Sequence, residues 1–169
     1  VQLLSNGAYS VMVTSAGSGY SMHRDIAVTR WREDTTRDQW GTFIYLRDVG
    51  RGEVWSSGYQ PLGRKPDHYE VAFSEDKVVI KRRDGTFETR TEIIVSPEDN
   101  AEVRRVSITN NSSEAKEIEV TSYAEIVRAP PKEEAGHPAL SNVFIETEFN
   151  VDENALIAKR RTRAENDEP

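Results

Sequence analysis

The sequence predicts an all-β chain folded as an antiparallel β-sandwich, and three observations carry that expectation. Val and Ile outnumber Leu 26 to 6, and 12 Thr join them. β-branched side chains suit a pleated, half-buried surface and are mildly costly in helices. Apolar and polar residues alternate with a period of two along most of the chain, the mark of strands with one face on a core. Turn-forming residues return about every 8–12 positions, the spacing of sandwiches and barrels.

Taken in order, Tyr9, Val11 and Val13 share one face of an early strand, and Ile26 and Val28 alternate with Ala27 and Thr29. The apolar run GTFIYLRD ends at Asp48, followed by Gly50 and Gly52. Tyr69, Val71 and Phe73 alternate with His68, Glu70 and Ala72. A hairpin is expected from Asp76 to Ser96, where KVVIKRR and TFETRTEIIV flank Asp84-Gly85, a dipeptide suited to a tight primed turn. A second hairpin is expected around Asn110-Asn111-Ser112-Ser113, and further strands over Asn142 to Phe149 and Asn154 to Arg160. Three stretches break the pattern. Arg30 to Gln39 is too charged for a core strand, Gly58 to Asp67 carries two Pro and two Gly, and Ala129 to Pro138 reads as a Pro-rich crossover. No segment longer than about ten residues carries a 3.6 period, so any helix is short.

With 169 residues the chain is one domain, expected as a sandwich over residues 1–158 and a charged, disordered tail over 159–169. Its apolar content of 36% is thin for a self-contained domain of this length. There is no run long and apolar enough to span a membrane, so no direct membrane insertion is expected. The absence of Cys excludes a disulfide scaffold and a Cys-based zinc site. A net charge of −7 argues against nucleic acid as a partner.

Chemistry-bearing residues concentrate early. Tyr20, Trp31, Trp40, Tyr45, Trp55 and Tyr59 are interleaved with Arg24, Arg30, Arg32, Arg37, Arg47 and Arg51. Aromatic faces stack on the C–H side of pyranose rings, and Arg and Asp hydrogen-bond hydroxyls, so the mixture suits a carbohydrate surface. The competing reading makes the tryptophans core residues and the Arg–Asp pairs loop ties. His23, His68 and His137 show no metal-ligand spacing, and neither a metal nor another cofactor is expected. The acidic pairs Glu33-Asp34, Glu75-Asp76, Glu98-Asp99 and Glu133-Glu134 read as solvated turn charges rather than a glycosidase pair. Gly17-Ser18-Gly19 begins like a phosphate loop, but no Lys-Ser/Thr follows.

The run from Leu3 to Asp48, LLSNGAYSVMVTSAGSGYSMHRDIAVTRWREDTTRDQWGTFIYLRD, resembles the cyclic β-1,2-glucan synthase group of the cellobiose-phosphorylase-like family, formerly glycosyltransferase family thirty-six. GEVWSSGYQP, PDHYEVAFSEDKVVIKRRDG, EVRRVSITN and HPALSNVFIETEF extend the likeness over nearly the whole chain. The resemblance implies the N-terminal β-sandwich of a phosphorylase-like module, of galactose-mutarotase-like super-sandwich fold and truncated at its C-terminal end. It implies packing on a catalytic (α/α)6 barrel absent from this chain, contact with a β-glucan oligosaccharide, and a homodimer interface. It implies a cytoplasmic location within a parent anchored in the inner membrane. The family's catalytic residues have no counterpart here, so no catalysis is expected of this chain alone. The matching GYS and RDIAVTRWRED motifs imply a sugar-lining role for Tyr20, Arg24, Asp25, Arg30, Trp31 and Arg32. A purely structural docking or dimerisation domain is the alternative.

Overall fold

A computed structural model describes residues 1–34, 36–136 and 138–161. Strands β1 (Gln2–Ser5), β2 (Tyr9–Val13), β3 (Gly19–His23), β4 (Ile26–Thr29) and β12 (Ile126–Ala129) form a five-stranded antiparallel sheet in that order. Strands β7 (His68–Phe73), β8 (Val78–Asp84), β9 (Phe87–Val95) and β10 (Glu102–Asn110) form a second sheet, ordered β10-β9-β8-β7. A third sheet joins β11 (Ile118–Tyr123), β5 (Phe43–Asp48) and β6 (Glu53–Ser56), with β5 in the middle. The antiparallel all-β sandwich read from the sequence is thus the observed architecture.

The alternation read in the sequence becomes the core. Leu4, Tyr9, Val11 and Val13 pack from the five-stranded sheet onto Val78, Ile80 and Ile93 of the four-stranded one. Phe87, at the other end of β9, packs instead on Leu46 and Trp55 of the three-stranded sheet, with the Trp55 ring 5.6 Å away. The long strand β9 therefore faces two sheets, which together make the opposing layer. Gly19 ties the five-stranded sheet to the loop that leads into β5: its N–H donates to the Trp40 carbonyl at 2.8 Å. The Gly17-Ser18-Gly19 stretch serves this close packing.

Sequence and structure differ at four places. The first hairpin turns on Gly85-Thr86, with only Gly85 at positive φ, so the loop sits one residue later than Asp84-Gly85. No hairpin forms around Asn110-Asn111: β10 pairs with β9, while β11 crosses to the other layer and pairs with β5, Ile118 opposite Asp48. The local turn residues were right, but tertiary pairing decided the partner. The Pro-rich crossover ends in two short helices, α1 (Pro131–Gly136) and α2 (Pro138–Val143), each led by a proline whose fixed φ suits a first helical turn. Consequently the next strand, β13 (Ile145–Asn150), starts three residues after Asn142. It pairs with β14 (Ala155–Arg160), in line with the strand expected over Asn154 to Arg160; residues 162–169 of the expected tail lie outside the described residues.

A polar bridge crosses the core between the layers. Glu102 accepts from Ser21 Oγ at 2.5 Å, from Tyr9 Oη at 3.3 Å and from Arg104 Nε at 3.0 Å, while Arg104 Nη1 donates to the Thr42 carbonyl at 3.0 Å. Burial pushes the Tyr9 phenol up to about 12, and the neighbouring Glu102 charge adds to the shift. A raised folded pKa stabilises the neutral form, so this contribution is whole below about pH 10 and is lost as pH climbs through about 12. Phenolate absorbance followed against pH should show a late phase that Tyr9→Phe removes. A Tyr9 that titrates with the exposed tyrosines would contradict the assignment.

Candidate functional site

The six residues singled out in the sequence divide between the two ends of β3 and β4. Tyr20 near the start of β3 meets Trp31, two residues beyond β4, edge to face with ring centroids 5.5 Å apart. The strands run antiparallel, so Thr29 returns beside Ser21 and its Oγ1 accepts the Ser21 N–H at 2.9 Å. That return carries Arg30, Trp31 and Arg32 to the Tyr20 end. Arg24 and Asp25 occupy the turn at the other end, about 13 Å along the strand. Arg24 adopts φ 54°, its N–H donates to the Ala8 carbonyl at 2.7 Å, and both side chains are exposed.

Arg30 is buried and holds the segment in place. Its guanidinium pairs with Glu125 at 2.9 Å and Glu134 at 3.0 Å, and it donates to Asn142 Oδ1. Its own N–H donates to the Glu125 carbonyl at 2.8 Å. Glu134, on α1, is itself buried and also takes a hydrogen bond from Arg32 Nη2 at 3.0 Å. One carboxylate thus serves two guanidinium groups, which offsets the cost of burying it. The short helix α1 therefore fixes the entry to the following loop.

Beyond Arg32 the chain forms an open groove of about 600 Å³ lined by Arg32, Glu33, Asp34, Arg37, Gln39 and Trp40. The Arg32 guanidinium lies over the Trp40 ring, 5.6 Å from its centroid. That contact is a cation–π pair, and it leaves Arg32 tied between Glu134 and Trp40. Asp34 closes its own turn: its Oδ1 accepts from Thr36 Oγ1 at 2.7 Å and from the N–H groups of Thr36 and Arg37 at 2.8 and 3.2 Å. Those hydrogen bonds, the Thr36 hydroxyl first, hold the Asp34 carboxyl below the usual range. The far end is pinned by Asp38, whose Oδ2 accepts from Thr14 Oγ1 at 2.7 Å and whose carbonyl accepts from Ser18 Oγ.

Trp40 and Arg37 belong to the aromatic–Arg cluster of the sequence but lie outside the GYS and RDIAVTRWRED motifs, and Glu33-Asp34 reads there as turn charges. The Asp34 turn is real, yet it also shapes the groove. The available signal was position: Trp40 closes a charged loop whose opening residues, Arg30 to Arg32, were already selected. Trp55 belongs to the core instead, buried against Phe87.

Two opposed antiparallel layers with a Trp–Arg groove on the loop leaving one sheet define a supersandwich-type domain. The chain belongs to the glycosyl hydrolase 94 supersandwich domain family, whose model matches residues 1–169. It is 39% identical over 165 residues to the cyclic beta-(1,2)-glucan synthase NdvB of Rhizobium meliloti (strain 1021), covering 98% of this chain and 6% of that protein. It is 31% identical over 123 residues to the N,N'-diacetylchitobiose phosphorylase of Vibrio furnissii, covering 69% of this chain and 15% of that protein. A solabiose phosphorylase of Paenibacillus borealis is 30% identical over 83 residues, 49% of this chain and 11% of that protein. The chain therefore spans a small part of each relative's length. Among the described residues no helix is long and apolar enough to cross a membrane.

Proposed function

We propose that this domain is the carbohydrate-facing accessory part of a longer β-glucan-processing glycosyltransferase or glycoside phosphorylase. The groove bounded by Arg32 and Trp40 is its sugar contact. The carrying observation is that one indole ring and five polar side chains line a single open groove on a loop fixed at both ends. A pyranose offers a C–H face to the indole and hydroxyls to Arg37, Asp34 and Gln39. Tyr20, Trp31 and Arg30 shape and support the groove, Arg32 lines it, and Arg24 and Asp25 extend the surface at the far end of the sheet. The likeness to a cyclic beta-(1,2)-glucan synthase supports a β-1,2-glucan as the oligosaccharide. Catalysis belongs to a barrel domain elsewhere in the parent, held at the cytoplasmic side of an inner membrane.

Titration of the chain with a β-1,2-gluco-oligosaccharide should change tryptophan fluorescence saturably. Trp40→Ala should weaken binding about tenfold, equivalent to about 1.4 kcal/mol. Binding unaffected by that substitution would refute the groove as the contact.

One observation favours a docking role beside this one. The β13–β14 hairpin exposes the cross-strand pair Phe149 and Leu156, 55% and 77% accessible, an apolar surface suited to the barrel or to a second copy. Sedimentation of wild type against Phe149→Ser/Leu156→Ser tests self-association; strict monomers in both would exclude the homodimer.

A further inference from the structure

The outer face of the four-stranded sheet holds a second cavity, of about 400 Å³, remote in sequence from the Trp40 loop. Its floor is set by register. His68, Arg83, Glu88 and Thr109 lie in one row across β7, β8, β9 and β10; Glu70, Lys81, Arg90 and Ser107 lie in the next. Lys81 leans away to Glu70 at 3.5 Å, and Arg90 leans to Glu92 at 2.7 Å. Glu92 is anchored on its other side by Arg105, and these two hydrogen-bonded guanidinium groups, Arg90 first, hold its carboxyl at about 2. The two cations are thus splayed apart, and the cavity opens between them.

What remains on the floor is chemically mixed. Arg83 offers N–H donors and Glu88 offers carboxylate acceptors. They stand directly opposite each other, yet among the described residues neither side chain makes a hydrogen bond or ion pair. The hydroxyls of Ser107 and Thr109 are likewise without a protein partner among the described residues. An anion would meet Glu88 at the centre, and a cation would meet Arg83 with Lys81 and Arg90 beside it. A neutral polyol meets neither penalty, because each hydroxyl both donates and accepts and a vicinal diol spans a guanidinium or a carboxylate. The volume falls within the range of small-ligand sites, about 300–1,000 Å³.

From this arrangement we infer that the outer face of the β7–β10 sheet is a second saccharide-binding site, taking a neutral oligosaccharide through Arg83, Glu88, Ser107 and Thr109. It contains no aromatic platform, so its grip rests on hydrogen bonds exchanged with water and is weak, with half-saturation at about 1–10 mM. A weak site on a broad sheet face suits holding a long glucan that also engages a tighter groove, since tethered sites raise the effective concentration of the chain between them.

The test is a titration of the isotope-labelled 169-residue chain carrying Trp40→Ala, which removes the groove's indole and keeps the two readings separate. The probe is a β-1,2-linked glucotriose, followed by backbone amide shifts in nuclear magnetic resonance. Saturable shifts at Arg83, Glu88, Ser107 and Thr109, weakened at least tenfold by adding Arg83→Ala, are the expected result. Arg83 is exposed, so that variant keeps the fold, and an unchanged amide spectrum elsewhere verifies it. No saturable shift on this face, or shifts indifferent to Arg83→Ala, would overturn the inference. Stronger shifts at the same amides with inorganic phosphate than with the trisaccharide would overturn the saccharide reading in favour of an anion.

Discussion

Replacing Arg82 by methionine is expected to cost about 3–5 kcal/mol of folding stability, a large part of what a domain this size possesses. Its side chain is 0% exposed, on the inward face of β8 in line with Val78 and Ile80. Nε and Nη2 bind the two Asp84 oxygens at 2.6 and 2.8 Å, Nη1 donates to the Gly58 carbonyl at 2.6 Å and Nη2 to the Arg64 carbonyl at 3.0 Å. Methionine fills much of the volume but leaves Asp84, 6% exposed, as an uncompensated charge; the Arg64 carbonyl loses its donor, while the Gly58 carbonyl keeps the Ser56 hydroxyl at 2.9 Å. The loop over Gly58 to Arg64 loses its tie to β8 at the same time. Chemical denaturation of Arg82→Met, Asp84→Ala and the double variant gives the coupling directly. A loss below about 1 kcal/mol in the first variant would contradict a buried, mutually dependent pair.

Gly19→Ala is expected to prevent native folding altogether. A Cβ at Gly19 would lie 1.7 Å from the Met12 carbonyl oxygen and 2.8 Å from its carbon, on the strand paired directly with β3, and the backbone sits at φ 155°. Backbone cannot rotate aside as a side chain does, so β2 and β3 would have to part. That parting would also break the hydrogen bond from Gly19 to Trp40 in the loop that leads into β5. The loss exceeds about 4–5 kcal/mol, the range reserved for disrupted cores and strained backbone. Gly7→Ala is the control: its φ is 94°, but nothing stands within 4 Å, so only conformational strain of about 1–2 kcal/mol is paid. Thermal unfolding followed by near-ultraviolet dichroism checks both; a cooperative, wild-type transition in Gly19→Ala would contradict the packing described.

Much of the architecture was legible because strand alternation is written residue by residue. Val11 and Val13, Val78 and Ile80, and Phe87 and Ile93 each face inward as the period of two requires. Partner choice was not legible, since a turn-rich stretch such as Asn110 to Ser113 serves a hairpin or a crossover equally well. Only the packing of Ile108 and Ile118 onto Leu46 and Trp55 selects the crossover. At the site, Tyr20 and Trp31 were legible as a pair of neighbours on adjoining elements. Arg30 is not distinguishable from Arg32 in sequence, yet one is buried against Glu134 and the other, exposed, reaches from Glu134 to the Trp40 ring. The decisive partner, Glu134, lies about a hundred residues away in a segment that reads as solvated charge, so no local pattern could reveal it.

A crystal structure of the chain soaked with a β-1,2-gluco-oligosaccharide is the most direct test of the proposed sugar contact at the groove between Arg32 and Trp40. The expected result is a pyranose ring in the groove, its C–H face toward Trp40 and its hydroxyls hydrogen-bonded to Arg37, Asp34 or Gln39. A sugar bound elsewhere with this groove empty, or no bound sugar at saturating concentration, would contradict it.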